Sequence, residues 1–207
     1  MNDRIATIAT QLCTAGLYSA ALHYLSDGPG KGRGGSALNR LRRECQRRGG
    51  TVAPPGLYLL LVDDVGIPLP LRARMGTWFA NLSISAVAAW NDGCRAARRL
   101  FGDQRDKLPT AVASFPLDLG IDGSSIGLAA ALAAVSLWSD IPLLQPVFAS
   151  GAVAGDGRIL PVDHLDEKLG CLRLFPGDGA GVVLIPKAQE EAARGMANAV
   201  GVSTVEE

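Results

Sequence analysis

The sequence predicts a mixed α/β fold, and three observations carry the prediction. Strand candidates at residues 57–62, 112–119 and 182–185 are short apolar runs bounded by Gly, Pro or Asp. Helical stretches separate them at residues 82–101 and 126–138, the second rich in Ala and Leu with no Pro or charge. Of 207 residues, 48% are hydrophobic, enough to bury a sizeable core, and no low-complexity tract suggests disorder.

Residues 5–22 read as one amphipathic core helix, with Ile5, Ile8, Leu12, Leu22 and Leu25 supplying apolar contacts. Thr7, Thr10, Gln11, Thr14 and Ser19 interrupt its apolar face, and Asp3 offsets Arg4 ahead of it, so neither a signal peptide nor a membrane span is expected. Residues 28–36 are Gly-rich around Lys31. A phosphate-binding loop needs Ser or Thr after its lysine and a strand before it; Gly32 follows Lys31, so a flexible linker and no nucleotide site is the expectation.

Residues 36–48 form a basic helix, with Arg40, Arg42, Arg43, Arg47 and Arg48 around Leu38 and Leu41. The net charge is zero, yet residues 1–50 hold eight Lys/Arg against three Asp/Glu, and the remainder twelve against seventeen. A solvated face explains such a helix; nucleic-acid binding lacks interleaved aromatics and a recognition motif. Gly49, Gly50, Pro54 and Pro55 then punctuate a boundary, dividing a basic helical extension, 1–50, from a main domain, 56–207.

In the main domain, Asp63 and Asp64 turn the first strand, and Pro68 and Pro70 mark residues 67–75 as an edge strand. The helix at 82–101 is expected to turn Ile84, Val87, Ala88 and Trp90 inward, with Arg95, Arg98 and Arg99 at its negative end. Pro186 opens a last helix at its favoured first position, and residues 195–200 close the domain. Cys13, Cys45, Cys94 and Cys171 are far apart and form no C-x-x-C pair, which argues against a disulfide framework and a structural zinc site and makes a reducing cytoplasm the default location.

Two stretches carry chemistry. Gly123 and Gly127 bracket Ser125 where a tight turn enters a helix. Ser124 or Ser125 either caps that helix or, for Ser125, sits beside free N–H groups able to hold an oxyanion. Further on, Leu165, Lys168, Leu169 and Leu172 share one helical face, which puts a lysine on an apolar stripe. Burial there disfavours the ammonium and suits a general base, whereas a lysine at the stripe's edge merely snorkels. Gly123-Ser124-Ser125-Ile126-Gly127 also satisfies the G-x-S-x-G nucleophile elbow of α/β-hydrolases, with His164 as base. Asp163, adjacent to His164 in sequence, is poorly placed to orient its ring.

Asp122-Gly123-Ser124-Ser125-Ile126-Gly127 resembles the Lon protease signature Lys-Asp-Gly-Pro-Ser-Ala-Gly. Ser150-Gly151-Ala152 falls where that family has Thr-Gly-Glu, and Gly157-Arg158-Ile159-Leu160-Pro161-Val162 is similar to its Arg-Gly-x-Val-Leu-Pro-Ile. Asp166-Glu167-Lys168 lies on its Lys-Glu-Lys, and residues 181–187 on its Thr-Val-Leu-Ile-Pro, so the likeness spans residues 108–192. The departures are Ser124 for proline, Ile126 for alanine, Ala152 for glutamate, and Asp163-His164 for Gly-Gly.

The resemblance implies the protease-domain fold shared with a ribosomal-protein domain, and a Ser-Lys dyad needing neither metal nor cofactor. It makes Ser125 the nucleophile and Lys168 its base, with Ser150 contacting the lysine and Asp122, Gly123, Ser124 and Ile126 framing the serine. It also implies a protein or peptide substrate, a homo-oligomer such as a hexameric ring, and a separate regulatory or ATPase partner. The alternative is a catalytically silent Lon-like module for assembly or nucleic-acid binding.

Overall fold

The computed structural model describes residues 2–28, 30–32, 35–48, 53–63, 65–77, 82–115, 120–175, 181–196 and 198–207. Gly49, Gly50, Asp64 and residues 116–119 of the third predicted strand lie outside them. The described chain is mixed α/β. Helices α1 (Asn2–Thr14), α2 (Tyr18–Ser26) and α3 (Ser36–Arg48) precede the antiparallel strands β1 (Gly56–Asp63) and β2 (Val65–Met75). Then come α4 (Ile84–Arg99), β3 (Ala111–Ser114), α5 (Gly127–Ser139) and β4 (Pro146–Ala149). A short antiparallel pair, β5 (Ala152–Val153) and β6 (Ile159–Leu160), leads to α6 (Leu165–Gly170), β7 (Val182–Pro186) and β8 (Ala199–Val202).

The main sheet has six strands in the order β3-β2-β1-β4-β7-β8. Its β1, β4, β7 and β8 run parallel, while β2 and β3 extend it antiparallel from β1. Because strand side chains alternate, each strand feeds two cores. Leu57, Leu59, Val147 and Ala149 pack under α4 and α5, and Tyr58, Leu60, Phe148, Val183 and Ile185 pack under α1–α3 and α6. Strands covered on both faces read as unbroken apolar runs, as residues 57–62 do.

The N-terminal helices therefore complete a layer of this domain. Ile5, Ile8, Leu12, Tyr24 and Leu25 share one core with Phe148, Leu165 and Leu169. Tyr24 Oη donates to Asp63 at 2.6 Å, tying α2 to the end of β1. Three expectations are corrected in this region. The single helix at 5–22 is two helices, broken at Gly16, whose φ of 79° is a left-handed conformation that glycine adopts freely. The described part of the 28–36 stretch is a fastened turn, since Arg42 donates to the carbonyls of Leu25 at 2.9 Å and Gly30 at 2.6 Å. And Pro68 and Pro70 lie on an interior strand, outside the stretch of β2, residues 72–75, that pairs with the described β3.

Helix α4 also faces differently from its prediction. Ser83 caps it, accepting from the Ala86 amide, but Ile84 is 91% exposed and Ala88 is exposed too. The buried face is Ala86, Ala89, Trp90, Gly93, Cys94 and Ala97. Small residues win because α4 and α5 approach closely: a Cβ added at Gly93 would collide with the Gly127 carbonyl and lie 3.0 Å from the Ala130 Cβ. Gly93→Ala is expected to destabilise the protein by about 1–3 kcal/mol, because backbone cannot give way as a side chain does. Urea denaturation of the variant checks this. Finally, Pro186 ends β7, and a 3₁₀ turn, Lys187–Ala193, follows it in place of an α-helix.

Candidate functional site

Among the described residues, the buried polar or charged side chains are Ser125 at 9% exposure, Ser150 at 0% and Lys168 at 7%. Buried polar groups are normally hydrogen-bonded and buried charges paired. Among the described residues, Ser150 Oγ is the fully buried polar atom that departs from that rule. Ser150 Oγ has no hydrogen-bond partner, Ser125 Oγ is engaged by no described residue, and Lys168 forms no ion pair with a described carboxylate.

Ser125 lies in a one-turn 3₁₀ helix, Ser124–Ile126, which feeds directly into α5. Gly123 opens the turn with φ at 92°, a conformation that a Cβ would strain. Neither serine caps α5: its N-cap position is Ile126, and no side chain caps either helix. The first N–H groups of such a turn have no intrahelical acceptor, so the amides of Ser124 and Ser125 stand beside the Ser125 hydroxyl at the positive end of α5. Ser124 is exposed, whereas Ile126 is buried between α4 and α5 as a core side chain.

Asp122 forms no hydrogen bond to Ser125. Its carboxylate accepts from Ser83 Oγ at 2.6 Å, from Ser85 Oγ, and from the Gly123 amide at 2.7 Å. Those bonds hold its carboxyl below the usual carboxylate range, Ser83 contributing most. Asp122 thus fastens the serine turn to the start of α4. Ser83 and Ser85 were missed in sequence; the N-cap preference of serine was the available signal, and their bond to Asp122 across 39 and 37 residues had none.

Ser150 follows β4 and is stitched to the serine turn. The Gly151 amide donates to the Ser125 carbonyl at 3.1 Å, the Leu128 amide donates to the Gly151 carbonyl at 2.9 Å, and the Ser150 amide donates to the Leu184 carbonyl of β7 at 3.1 Å. Gly151 has no room for a side chain, since an added Cβ would lie 3.0 Å from Ile159 Cγ2 and 3.1 Å from Leu128 Cβ. Ala152 is a buried core residue.

Lys168 comes from the other side of the same end of the sheet. Helix α6 buries Leu165, Lys168 and Leu169 together with the following Leu172, as the periodicity predicts. Gly66, at the start of β2, lies against the backbone of Glu167 and Lys168; an added Cβ would overlap the Glu167 carbonyl. Gly66 pairs with Val62 near the end of β1, and β4 pairs with β1 up to Ala149, the residue before Ser150. Sequence reading passed over Gly66, though a glycine inside a strand signals close backbone approach. The side-chain amide of Gln189 clamps the segment ahead of α6, accepting from the Val162 amide at 2.8 Å and donating to its carbonyl at 2.9 Å.

Burial pushes the Lys168 ammonium below its ordinary lysine value, while Asp163 and Glu167 pull the other way with smaller effect. Glu167 is turned to the exposed His164, whose Nδ1 is 3.4 Å from Glu167 Oε1. His164 occupies the N-cap position of α6 with φ at 56°, and the other histidine, His23, pairs with Asp27 at 2.9 Å. Neither ring is hydrogen-bonded to Ser125, and the Lys168 amine is hydrogen-bonded to neither Ser125 nor Ser150, so hydrogen bonding supports neither a triad nor an assembled dyad.

A cleft of about 630 Å³ opens at the opposite end of the sheet, between Gly56, Arg72, Asp140 and Ile141. It is separate from Ser125 and Lys168. Among the described residues, no helix is long and apolar enough to cross a membrane. No family model matches this chain, and no curated protein matches it either.

Proposed function

We propose that this chain is a Lon-like serine endopeptidase domain that hydrolyses peptide bonds with Ser125 as nucleophile and Lys168 as general base. One observation carries the reading: among the described residues, the buried polar side chains are those of the proposed dyad and the hydroxyl that the resemblance pairs with them. Lys168 Nζ, in the neutral form that burial favours, takes the Ser125 Oγ proton as Oγ attacks the substrate carbonyl. The Ser124 and Ser125 amides stabilise the oxyanion, and Lys168 returns the proton to the leaving amine. Water then hydrolyses the acyl-enzyme, with Lys168 again accepting a proton and restoring Ser125.

In this reading Ser150 acts through the lysine, as the buried hydroxyl, without a hydrogen-bond partner of its own, that is left to position it. Ser150→Ala is expected to lower kcat by about tenfold or more, and to leave the urea midpoint unchanged or raised, because no hydrogen bond is lost. Steady-state kinetics and denaturation on the same preparation check both halves.

The test of function is cleavage of fluorescently labelled unfolded casein, without ATP and without added metal. His164→Ala is expected to cleave casein at the wild-type rate, which separates the lysine dyad from a histidine triad. A folded protein that leaves casein and short peptide esters intact would return the reading to a silent assembly or nucleic-acid-binding module. The proposal extends to self-association, in a ring such as a hexamer, and to a regulatory or ATPase partner in a reducing cytoplasm. Sedimentation showing a monomer that degrades casein without restraint would remove the need for that ring.

A further inference from the structure

We infer that Cys13 and Cys45 are a peroxide-oxidisable thiol pair that closes into a disulfide between α1 and α3. Their sulfurs lie 3.2 Å apart although 32 residues separate them in sequence, so small side-chain rotations bring them to bonding distance. The pair is asymmetric: Cys45 is fully buried and Cys13 half-buried. The contact with Cys45 lowers the Cys13 value, with burial and Glu44 opposing and Arg48 helping, and the same contact pushes Cys45 up. That arrangement suits an accessible thiolate backed by a resolving thiol.

The co-reactant is hydrogen peroxide. The Cys13 thiolate attacks one peroxide oxygen, the O–O bond breaks, and hydroxide leaves to be protonated to water, giving Cys13 sulfenic acid. Cys45 sulfur attacks the Cys13 sulfur, the S–O bond breaks, and the Cys45 proton leaves with the hydroxyl as a second water. Two thiols lose two electrons, and one peroxide becomes two waters. The product joins α1 to α3, which already holds the α2 turn through Arg42. Cys94 and Cys171 are buried singly, with burial pushing Cys94 up to about 12 and raising Cys171 as well, so they serve as internal controls.

The experiment treats the full, folded chain with hydrogen peroxide and follows intact mass, peptide mapping and thermal unfolding. The expected result is a loss of about 2 Da that dithiothreitol reverses, a cross-linked Cys13–Cys45 peptide, and a melting temperature raised by about 5–10 °C. Cys13→Ser and Cys45→Ser each abolish the cross-link, while the Cys94→Ser, Cys171→Ser double variant keeps it. Should either single variant fail to fold, Cys13→Ala and Cys45→Ala replace it. Oxygen addition at Cys13 without cross-linking, or unreacted thiols in wild-type protein shown folded by circular dichroism, would overturn the inference. Because these readouts are independent of peptide cleavage, an inactive protein leaves the test intact.

Discussion

Replacing Lys168 with Met is expected to make the protein more stable and catalytically dead. The two effects have one origin. Lys168 is 7% exposed, on the helix face that also buries Leu165 and Leu169, yet no described carboxylate pairs with its ammonium. Met fills nearly the same volume without a charge to desolvate, so a gain of about 1–3 kcal/mol is expected at neutral pH. Hydrolysis is expected to fall by about a thousandfold or more, since the base is gone. A lysine serving only structure would give the reverse sign in stability and no reason for the loss of rate.

The pH dependence follows from the same burial. The folded value of Lys168 lies below its unfolded value. Below the folded value the ammonium is charged in both states and burial penalises the native one. Between the two values the unfolded chain binds a proton that the folded chain does not, so stability rises with pH; above the unfolded value the penalty is gone. In parallel, kcat/KM is expected to rise with pH through the folded value and then level, because the neutral amine is the active form. Lys168→Met removes both slopes. Urea midpoints and casein kinetics across that range measure them.

Replacing Ser125 with Ala is expected to abolish cleavage by about a thousandfold or more while shifting stability by no more than about 1 kcal/mol. The hydroxyl makes no hydrogen bond to a described residue, so its removal leaves no partner orphaned. The backbone that shapes the site does not depend on it. The Gly151 amide bonds to the Ser125 carbonyl at 3.1 Å, which Ala retains. Activity and melting temperature therefore separate in Ser125→Ala, whereas Gly93→Ala moves them together by displacing the start of α5. A fluorophosphonate probe is expected to label wild-type protein at Ser125, and Ser125→Ala not at all.

What was legible in the sequence was local. The α5 run and the stripe of Leu165, Lys168, Leu169 and Leu172 follow helical spacing, and both appear as predicted. The mixed α/β class was legible too, because β1 and β7 are short apolar runs separated by helices. Helix α4 was misread because its buried face is Ala and Gly, and close helix packing selects small residues that a hydrophobicity pattern undervalues. The break at Gly16 escaped because both helices bury the same core, so the apolar period runs on through the turn. At the site, Gly66 beneath Lys168, the Ser83 and Ser85 hydroxyls on Asp122, and the Cys13–Cys45 contact all depend on residues distant in sequence. A glycine within a strand marks a close approach and a serine a helix start, but neither names the distant partner.

Titration of the Lys168 amine by NMR, on protein carrying labelled lysine and assigned by comparison with Lys168→Met, tests the central claim most directly. The expected midpoint lies clearly below the ordinary lysine value and coincides with the rise in kcat/KM. A midpoint at the ordinary lysine value or higher would contradict the dyad, because a lysine that stays charged at the pH of activity cannot take the proton from Ser125.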